Sequence, residues 1–241
     1  MGNTRARRTN TAKRAPNMPM HHCHVIVHVC IAFLASTTQA ANPPFPIFPE
    51  AFNTTELFYQ PADSTGPPMA KRTTTWDFPK KRGMMRLDNL KTGTFTYELI
   101  RCDLPAQTGW VVQGKSDSTD PSTYTCFKHG AKDCQSQKPF WPQPPKTAQY
   151  NGTQVINGVT CNRFDFSFTP SGPGGGVPVN SSLWATATAP CRTVHTSQRE
   201  DFMSFDSTEP AASAFTVPTW LANLDCTPPP PVGVESSFFS W

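Results

Sequence analysis

The sequence contains no apolar run long enough to cross a membrane as a helix. Its main apolar run, residues 25–35, is eleven residues long and is interrupted by His28, whereas a spanning helix needs roughly 20 apolar residues. A basic segment precedes this run and Thr38, Gln39 and Ala40 follow it, which is the pattern of a signal peptide. We therefore expect residues 1–40 to be cleaved. The remaining chain is expected to be secreted, or delivered to an endomembrane lumen such as a lysosome or vacuole, with no transmembrane segment.

The chain beyond the signal peptide also lacks an excess of positive charge. The leader holds five of the 21 lysines and arginines and none of the 17 acidic residues, so residues 41–241 have a net charge of −1. Phosphate binding needs a concentrated cationic face, and nucleic acid is therefore not an expected partner. One local basic cluster comprises Lys71, Arg72, Lys80, Lys81, Arg82 and Arg86. We expect these to be solvated edge residues of a β-hairpin, with a polyanion site as the alternative.

Motifs for nucleophilic catalysis are missing. The run that surrounds the nucleophile of papain-type peptidases does not occur, and neither does the G-x-S-x-G turn of serine hydrolases. The three glycines at residues 174–176 lack the lysine of a phosphate-binding loop. His195 and Asp201 could be combined with a serine, but a lone histidine beside a threonine-rich strand is usually structural. No catalytic residue is therefore predicted, and the protein is not expected to be an enzyme.

Metal-ligand patterns are equally sparse. The cysteines form no paired CxxC units, and only His129 and His195 remain after the leader. Asp117, Asp120 and Asp133 lie near one another in sequence but do not form an EF-hand loop. No metal site or cofactor is predicted, and calcium is kept as an alternative.

Cysteines and glycosylation sequons are present in numbers that suit an oxidising compartment. After cleavage the chain keeps Cys102, Cys126, Cys134, Cys161, Cys191 and Cys226. An even number in a secreted chain predicts three disulfides, for which 15 connectivities are possible. Three Asn-x-Ser/Thr sequons, at Asn53, Asn151 and Asn180, predict N-glycosylation at the surface.

Apolar residues alternate with period two along most of the chain. Residues 94–100 and 163–168 are the clearest predicted strands, each with one buried face. Short helices are expected within residues 210–215 and 219–224. The predicted fold is therefore mainly β: a large, strongly curved antiparallel sheet, or half-barrel, with one or two short helices. It occupies residues 52–226, between a proline-rich lead-in at 41–51 and a proline-rich tail at 227–241.

Aromatic residues on the predicted strands are the candidate ligand-binding set, because a curved sheet lined with such residues can enclose an apolar cavity. A filled core without a cavity is the alternative. The candidates are Trp76, Phe95, Tyr97, Trp110, Phe164, Phe166, Phe168 and Trp184.

Several segments resemble motifs of secreted ependymin-like and LolA-like domains, which are also found ahead of papain-type peptidases in some protist proteins. VINGVTCNRFDF at residues 155–166 resembles the "ING-x-x-C-x-x-W/F" strand of that family, and EDFMSF at 200–205 resembles its "TDFSNF" segment. FTVP at 215–218, followed by Cys226, resembles the closing "FxVPxxC". The resemblance implies a bent antiparallel sheet whose concave face takes a lipid or another apolar ligand.

The leading hypothesis is a secreted, non-enzymatic module that binds a lipid or another hydrophobic molecule. Two alternatives remain. The chain could be the accessory N-terminal domain of a papain-like peptidase whose catalytic domain is absent here, since four prolines follow Cys226 as in a linker. It could also be an adhesion glycoprotein of the extracellular matrix, with matrix or cell-surface proteins as partners.

Overall fold

The computed structural model describes residues 41–130, 145–169 and 178–227. The expected signal peptide at 1–40 and most of the expected tail lie outside this range. The strands are β1 (Ala51–Tyr59), β2 (Ala70–Asp77), β3 (Arg82–Asn89), β4 (Thr94–Arg101), β5 (Thr108–Lys115), β6 (Thr125–His129), β7 (Gln149–Ile156), β8 (Val159–Phe168), β9 (Val179–Ala185), β10 (Pro190–His195) and β11 (Gln198–Asp206). Two 3-10 helices (Pro121–Thr123 and Ala212–Phe215) and one α-helix, α1 (Thr219–Ala222), complete the described elements.

All eleven strands form one antiparallel sheet in the order β6-β5-β4-β3-β2-β1-β11-β10-β9-β8-β7. Strands that follow one another in sequence pair as hairpins on either side of the central pair, in which β1 meets β11. The described sheet is open, because β6 and β7 stand at its two ends. The predicted fold class, mainly β with short helices, is confirmed. In the described part of the chain, no helix is long and apolar enough to span a membrane.

The two faces of the sheet are defined here by one residue each. Side chains alternate along a strand, and directly paired residues point to the same face. The Glu56 face carries Phe52, Thr54, Glu56 and Phe58 of β1, which are all buried. The Tyr97 face is the opposite one, on which the intervening β1 residues are only partly buried.

The C-terminal segment packs on the Tyr97 face. Leu221 of α1 joins a buried cluster with Phe95, Tyr97, Leu99 and Val112 from β4 and β5. Nearby, the guanidinium of Arg82 lies 4.5 Å from the ring centre of Phe215. These contacts cover the Tyr97 face over one half of the sheet.

The proline-rich lead-in packs on the Glu56 face. Phe45 lies 5.1 Å from Phe164, measured between ring centres, and Phe48 lies 6.2 Å from Phe205. Phe48 is buried, whereas its neighbour Ile47 is 80% exposed. The lead-in therefore contributes side chains to the core of the unit that contains the sheet.

Two disulfides lie within the described residues, Cys126–Cys226 and Cys161–Cys191. The first joins β6 to the segment after α1, and the second joins β8 to β10 across β9. Cys102 is also disulfide-bonded, and Cys134 lies outside the described residues. The disulfides are compatible with a secreted or lumenal protein.

Candidate functional site

A cluster of buried charged residues lies at the centre of the Glu56 face, where β10, β11, β1 and β2 run side by side. Glu56 of β1 and Glu200 of β11 are only 3% and 2% exposed. Arg72 pairs with Glu56 across the β1–β2 ladder, and its side chain is 12% exposed. Charged groups are rarely buried to this degree unless they are paired.

Arg72 holds the two carboxylates together. Its Nε donates a hydrogen bond to Glu56 Oε2, and its Nη2 donates to Glu200 Oε1. The guanidinium also lies 4.8 Å from the ring centre of Phe58. One cation therefore serves two acids in an apolar part of the molecule.

Two threonines satisfy further oxygens of the same carboxylates. Thr54 donates to Glu56 Oε1 at 2.5 Å, and Thr193 of β10 donates to Glu200 Oε2 at 3.0 Å. Each carboxylate thus accepts one charged and one neutral hydrogen bond. We name Thr54, Glu56, Arg72, Thr193 and Glu200 together the acid-pair cluster.

The acid-pair cluster has an unbalanced charge when both acids are ionised. Burial raises the pKa of Glu200 to about 7, and the charge of Glu56 adds to this effect, while Arg72 and Thr193 oppose it. For Arg72, burial acts to lower the pKa, but the two glutamates outweigh it and the pKa is raised. Burial and the neighbouring carboxylate therefore favour the protonated form of Glu200, and the cluster carries a net negative charge when both acids are ionised.

Sequence reasoning missed this cluster. It assigned Arg72 and Arg82 to a solvated hairpin edge, but both are largely buried and both are paired with acids, Arg82 with Asp77. Lys71 and Lys81 are exposed as expected. A signal for the cluster was present in β1. Glu56 falls in the same period-two series as Phe52 and Phe58, so it points to the same face of the strand as these two rings.

The eight predicted ligand-binding aromatics are divided between the two faces of the sheet. The strand register places Trp76, Phe164, Phe166 and Phe168 on the Glu56 face. It places Phe95, Tyr97, Trp110 and Trp184 on the Tyr97 face. The eight residues therefore do not line one wall. Phe95 and Tyr97 pack in the cluster that contains Leu221, and Trp184 packs beside the Cys161–Cys191 disulfide.

The Glu56 face carries aromatic residues on both sides of the acid-pair cluster. Phe52 stacks on Phe205 at 5.4 Å between ring centres, and Trp76 contacts Phe78 edge to face at 4.7 Å. On the other side, Phe166 and Leu183 form a cluster with Phe48. The resulting surface is apolar with a polar centre.

The histidine and acid considered as catalytic partners do not meet. His195 lies on the Glu56 face, where its Nδ1 is 2.5 Å from Ser181 Oγ, and burial lowers its pKa to about 4. Asp201 lies on the Tyr97 face and pairs with Arg192 and Arg199. A His195–Asp201 couple is therefore not formed.

No group of three or more histidine, cysteine or acidic side chains that could hold a metal ion occurs within residues 41–130, 145–169 and 178–227. Asp120 caps the 3-10 helix at Pro121–Thr123 by accepting from the backbone N–H of Ser122. Asp117 is exposed, and Asp133 lies outside the described residues.

The three predicted glycosylation sites differ in exposure. Asn151 of β7 and Asn180 of β9 are exposed, whereas Asn53 of β1 is partly buried on the Tyr97 face. The expected surface position therefore holds for Asn151 and Asn180 and only in part for Asn53.

Comparison with known proteins yields little similarity. No protein-family model matches this chain, and no curated protein matches it. Among solved structures, the crystal structure of MucB in complex with MucA(peri) is similar at 11% sequence identity and a TM-score of 0.30. That match covers 70% of this chain and 55% of the other, so this chain spans about half the length of the structure it matches. Membership of the ependymin-like and LolA-like family stays a prediction.

Proposed function

We propose that this chain is a secreted or lumenal, non-enzymatic binding module that holds a lipid or another apolar ligand against the Glu56 face. One observation carries the proposal. The aromatic residues of the Glu56 face are buried, yet none of the described helices packs on this face, and neither does a second described sheet. A sheet normally buries such a face against another layer. Here the proline-rich lead-in supplies two of the covering rings, Phe45 and Phe48.

An apolar ligand would gain affinity from burial on this face. Removal of apolar surface from water contributes about 25 cal/mol per Å², from which the cost of association must be subtracted. The rings around Phe52 and Phe166 lie on both sides of the acid-pair cluster and are already buried, so a ligand gains contact with them only by displacing what covers them. Where the lead-in covers the Glu56 face, the side chain of Phe48 would have to move to admit the ligand.

The acid-pair cluster favours one class of ligand over another. Its two carboxylates share the single guanidinium of Arg72, so its net charge is negative when both are ionised. An anionic head group placed beside it would be repelled in a medium of low dielectric constant. We therefore expect a neutral or cationic amphiphile to bind more tightly than a fatty-acid anion.

The first test uses the protein secreted from a eukaryotic host. Native mass spectrometry and solvent extraction should reveal a co-purified neutral or cationic lipid. Titration with Nile red, a neutral fluorescent apolar probe, should show saturable binding that the extracted lipid displaces. A clean ligand-free mass together with no affinity for Nile red would rule the proposal out.

A matched pair of variants locates the binding surface. Phe48→Ala removes a buried ring from the Glu56 face, and we expect it to raise the amount of Nile red bound, because space is opened beside Phe205. Ile47→Ala changes an exposed side chain of the same segment and should leave binding unchanged. If the two substitutions changed Nile red binding equally, the probe would bind somewhere other than the Glu56 face.

A further inference from the structure

A polar groove lies on the Tyr97 face at strands β7 to β10, opposite the surface used in the proposed function. Its volume is about 480 Å³. Arg163, Asp165 and Ser167 of β8 line it together with Asn180 and Ser182 of β9. The strand register brings these residues together, because Asp165 pairs with Ser182 and Ser167 pairs with Asn180.

Hydrogen bonds fix the groove's side chains. Asp165 Oδ1 accepts from Ser182 Oγ at 2.6 Å and from Arg163 Nε at 2.9 Å, and Asn151 Nδ2 donates to Asp165 Oδ2 at 2.6 Å. Burial acts to raise the pKa of Asp165, but these hydrogen bonds outweigh it and the pKa is lowered. The guanidinium of Arg163 lies 5.0 Å from the ring centre of Trp184.

The groove therefore offers fixed donors and acceptors with little net charge, because Arg163 neutralises Asp165. Both side chains keep a water-accessible part, at 39% and 33% exposure. A sugar hydroxyl can donate and accept at once, and it matches such a mixed surface better than an ion does. The chemistry suits a neutral carbohydrate.

Two of the three sequons converge on this groove. Asn180 lines it, and so does Ser182, the hydroxyl residue of the same sequon. Asn180 Oδ1 accepts from Ser167 Oγ at 2.5 Å, and no described hydrogen bond engages Nδ2, the atom to which a glycan is attached. Asn151 is not among the residues that line the groove, but it contacts one of them, because its Nδ2 donates a hydrogen bond to Asp165 Oδ2.

We propose that the groove holds the first sugars of this chain's own N-linked glycan, carried on Asn180. The glycan would lie over β8 and β9 and bond to the Arg163–Asp165 pair. The proposal rests on entry into the secretory pathway, which is part of the proposed function, and not on binding of an apolar ligand. Asn151 is the less suitable carrier, because its Nδ2 already donates to Asp165.

The test measures how well the groove protects the glycan on Asn180. The full chain is secreted from a host that adds high-mannose glycans, and occupancy at each sequon is read from glycopeptides. The native protein is then treated with an endoglycosidase that cuts between the first two sugars. Arg163→Ala should accelerate release of the glycan from Asn180 about tenfold. This factor corresponds to the loss of roughly one or two net hydrogen bonds between the groove and the glycan. Release at Asn53 should not change.

Arg86→Ala is a closely matched control. Arg86 also pairs with an aspartate two residues later, Asp88, and its guanidinium lies 4.7 Å from the ring centre of Phe95. Its side chain is 43% exposed and lies outside the groove. This substitution should leave release at Asn180 unchanged. If Arg163→Ala is not secreted, Gln149→Ala removes another groove side chain, and the same acceleration is expected.

Two results would overturn the proposal: an unmodified Asn180 in the secreted protein, or release at Asn180 that neither groove variant accelerates beyond Arg86→Ala. The outcome is separable from that of the proposed function. Asn180→Gln leaves the Glu56 face intact, so Nile red binding should be the same with and without the glycan. Release at Asn180 that neither groove variant accelerates, together with retained Nile red binding, would refute this inference only.

Discussion

Glu200 is a carboxyl group that the fold removes from water, and burial raises its pKa to about 7. Unfolding returns the pKa to its ordinary value of 4.5. Between these two values the folded protein holds a proton that the unfolded chain has released. The contribution of Glu200 to the free energy of unfolding therefore falls as the pH rises through this range. His195 acts in the opposite direction between about pH 4 and 6.5, because burial lowers its pKa.

We expect Glu200→Gln to remove the part of the pH dependence that Glu200 causes. His195 is present in both proteins, so the informative quantity is the free energy of unfolding of the variant minus that of the wild type. This difference should rise by about 1 to 3 kcal/mol between pH 5 and pH 8. Urea unfolding at several pH values measures it. Glu209→Gln, at a side chain that is 62% exposed, is the control and should give a flat difference. A flat difference for Glu200→Gln as well would contradict the assignment.

Gly83 lies directly beneath the ring of Trp76. A Cβ at position 83 would come within 1.3 Å of Trp76 Cζ3, and the tryptophan is 3% exposed. We expect Gly83→Ala to lower the free energy of unfolding by about 1 to 3 kcal/mol, because the buried ring must move. Urea unfolding followed by tryptophan fluorescence checks this. Gly66→Ala, where a Cβ would make an ordinary contact at 3.5 Å, should change stability by less than about 0.5 kcal/mol. Similar losses for the two variants would argue against the packing of Trp76 on Gly83.

Individual residues of the acid-pair cluster were difficult to find in the sequence. Arg72 stands in a basic run, and that pattern suggested exposure. Its partners come from β1 and β11, the latter 128 residues away in sequence. The cluster exists only because β1 lies between β2 and β11, and the β1–β11 pairing joins strands that are far apart in sequence. A local pattern cannot carry such information.

At the scale of elements, strands with one apolar face were predictable and strands with mixed faces were not. Residues 94–100 and 163–168 alternate cleanly, and both segments are strands in the structure. The single buried face expected for β4 is wrong, because Glu98 and Ile100 on its other face are buried as well. β1 was not predicted, because its buried positions include Thr54 and Glu56. β7 was not predicted either, because most of its side chains are exposed and it carries Asn151 and Gly152. In both strands, the hydrophobic pattern is weakened by residues that serve the candidate sites.

The face to which each aromatic residue belongs was also beyond local patterns. Neighbouring strands share a face according to their register, and register depends on turns and bulges. A bulge in the β1–β11 pair lies between Thr55 and Glu56, and it shifts which β11 residues join the Glu56 face. Trp76 and Trp184 both lie on predicted strands, and the register places them on opposite faces of the sheet.

The helix α1 is too short to be stable without tertiary contacts, since it has four residues. Leu221 anchors it on the Tyr97 face and is 1% exposed. We expect Leu221→Ala to lower the free energy of unfolding by about 2 to 5 kcal/mol. Leu90→Ala, at a leucine that is 52% exposed, should cost much less. Urea unfolding monitored by circular dichroism measures both, and equal costs would contradict the anchoring role of Leu221.

At the scale of the whole molecule, the two described disulfides restrain the unfolded chain to different extents. Cys126–Cys226 closes a loop with a sequence separation of 100, and Cys161–Cys191 closes one of 30. Chain-entropy arguments assign about 4 to 5 kcal/mol to the first and about 3 to 4 kcal/mol to the second. The double variant Cys126→Ser/Cys226→Ser should therefore be less stable than Cys161→Ser/Cys191→Ser. Urea midpoints and slopes of both double variants provide the comparison, and the reverse order would show that native-state strain or residual structure dominates.

The open ends of the sheet are not equally protected. At β6, Thr227 bridges to the outer edge, where Lys128 N–H donates to Thr227 O at 3.0 Å. Within the described sheet, β7 pairs only with β8 and is an edge strand, the kind of strand that can pair with another chain. The exposed Asn151 lies on β7 beside the irregularity between Tyr150 and Thr153. A glycan on Asn151, which the sequon predicts, would obstruct edge-to-edge association. If Asn151 carries one, protein from a host that adds no glycans should aggregate more readily through β7.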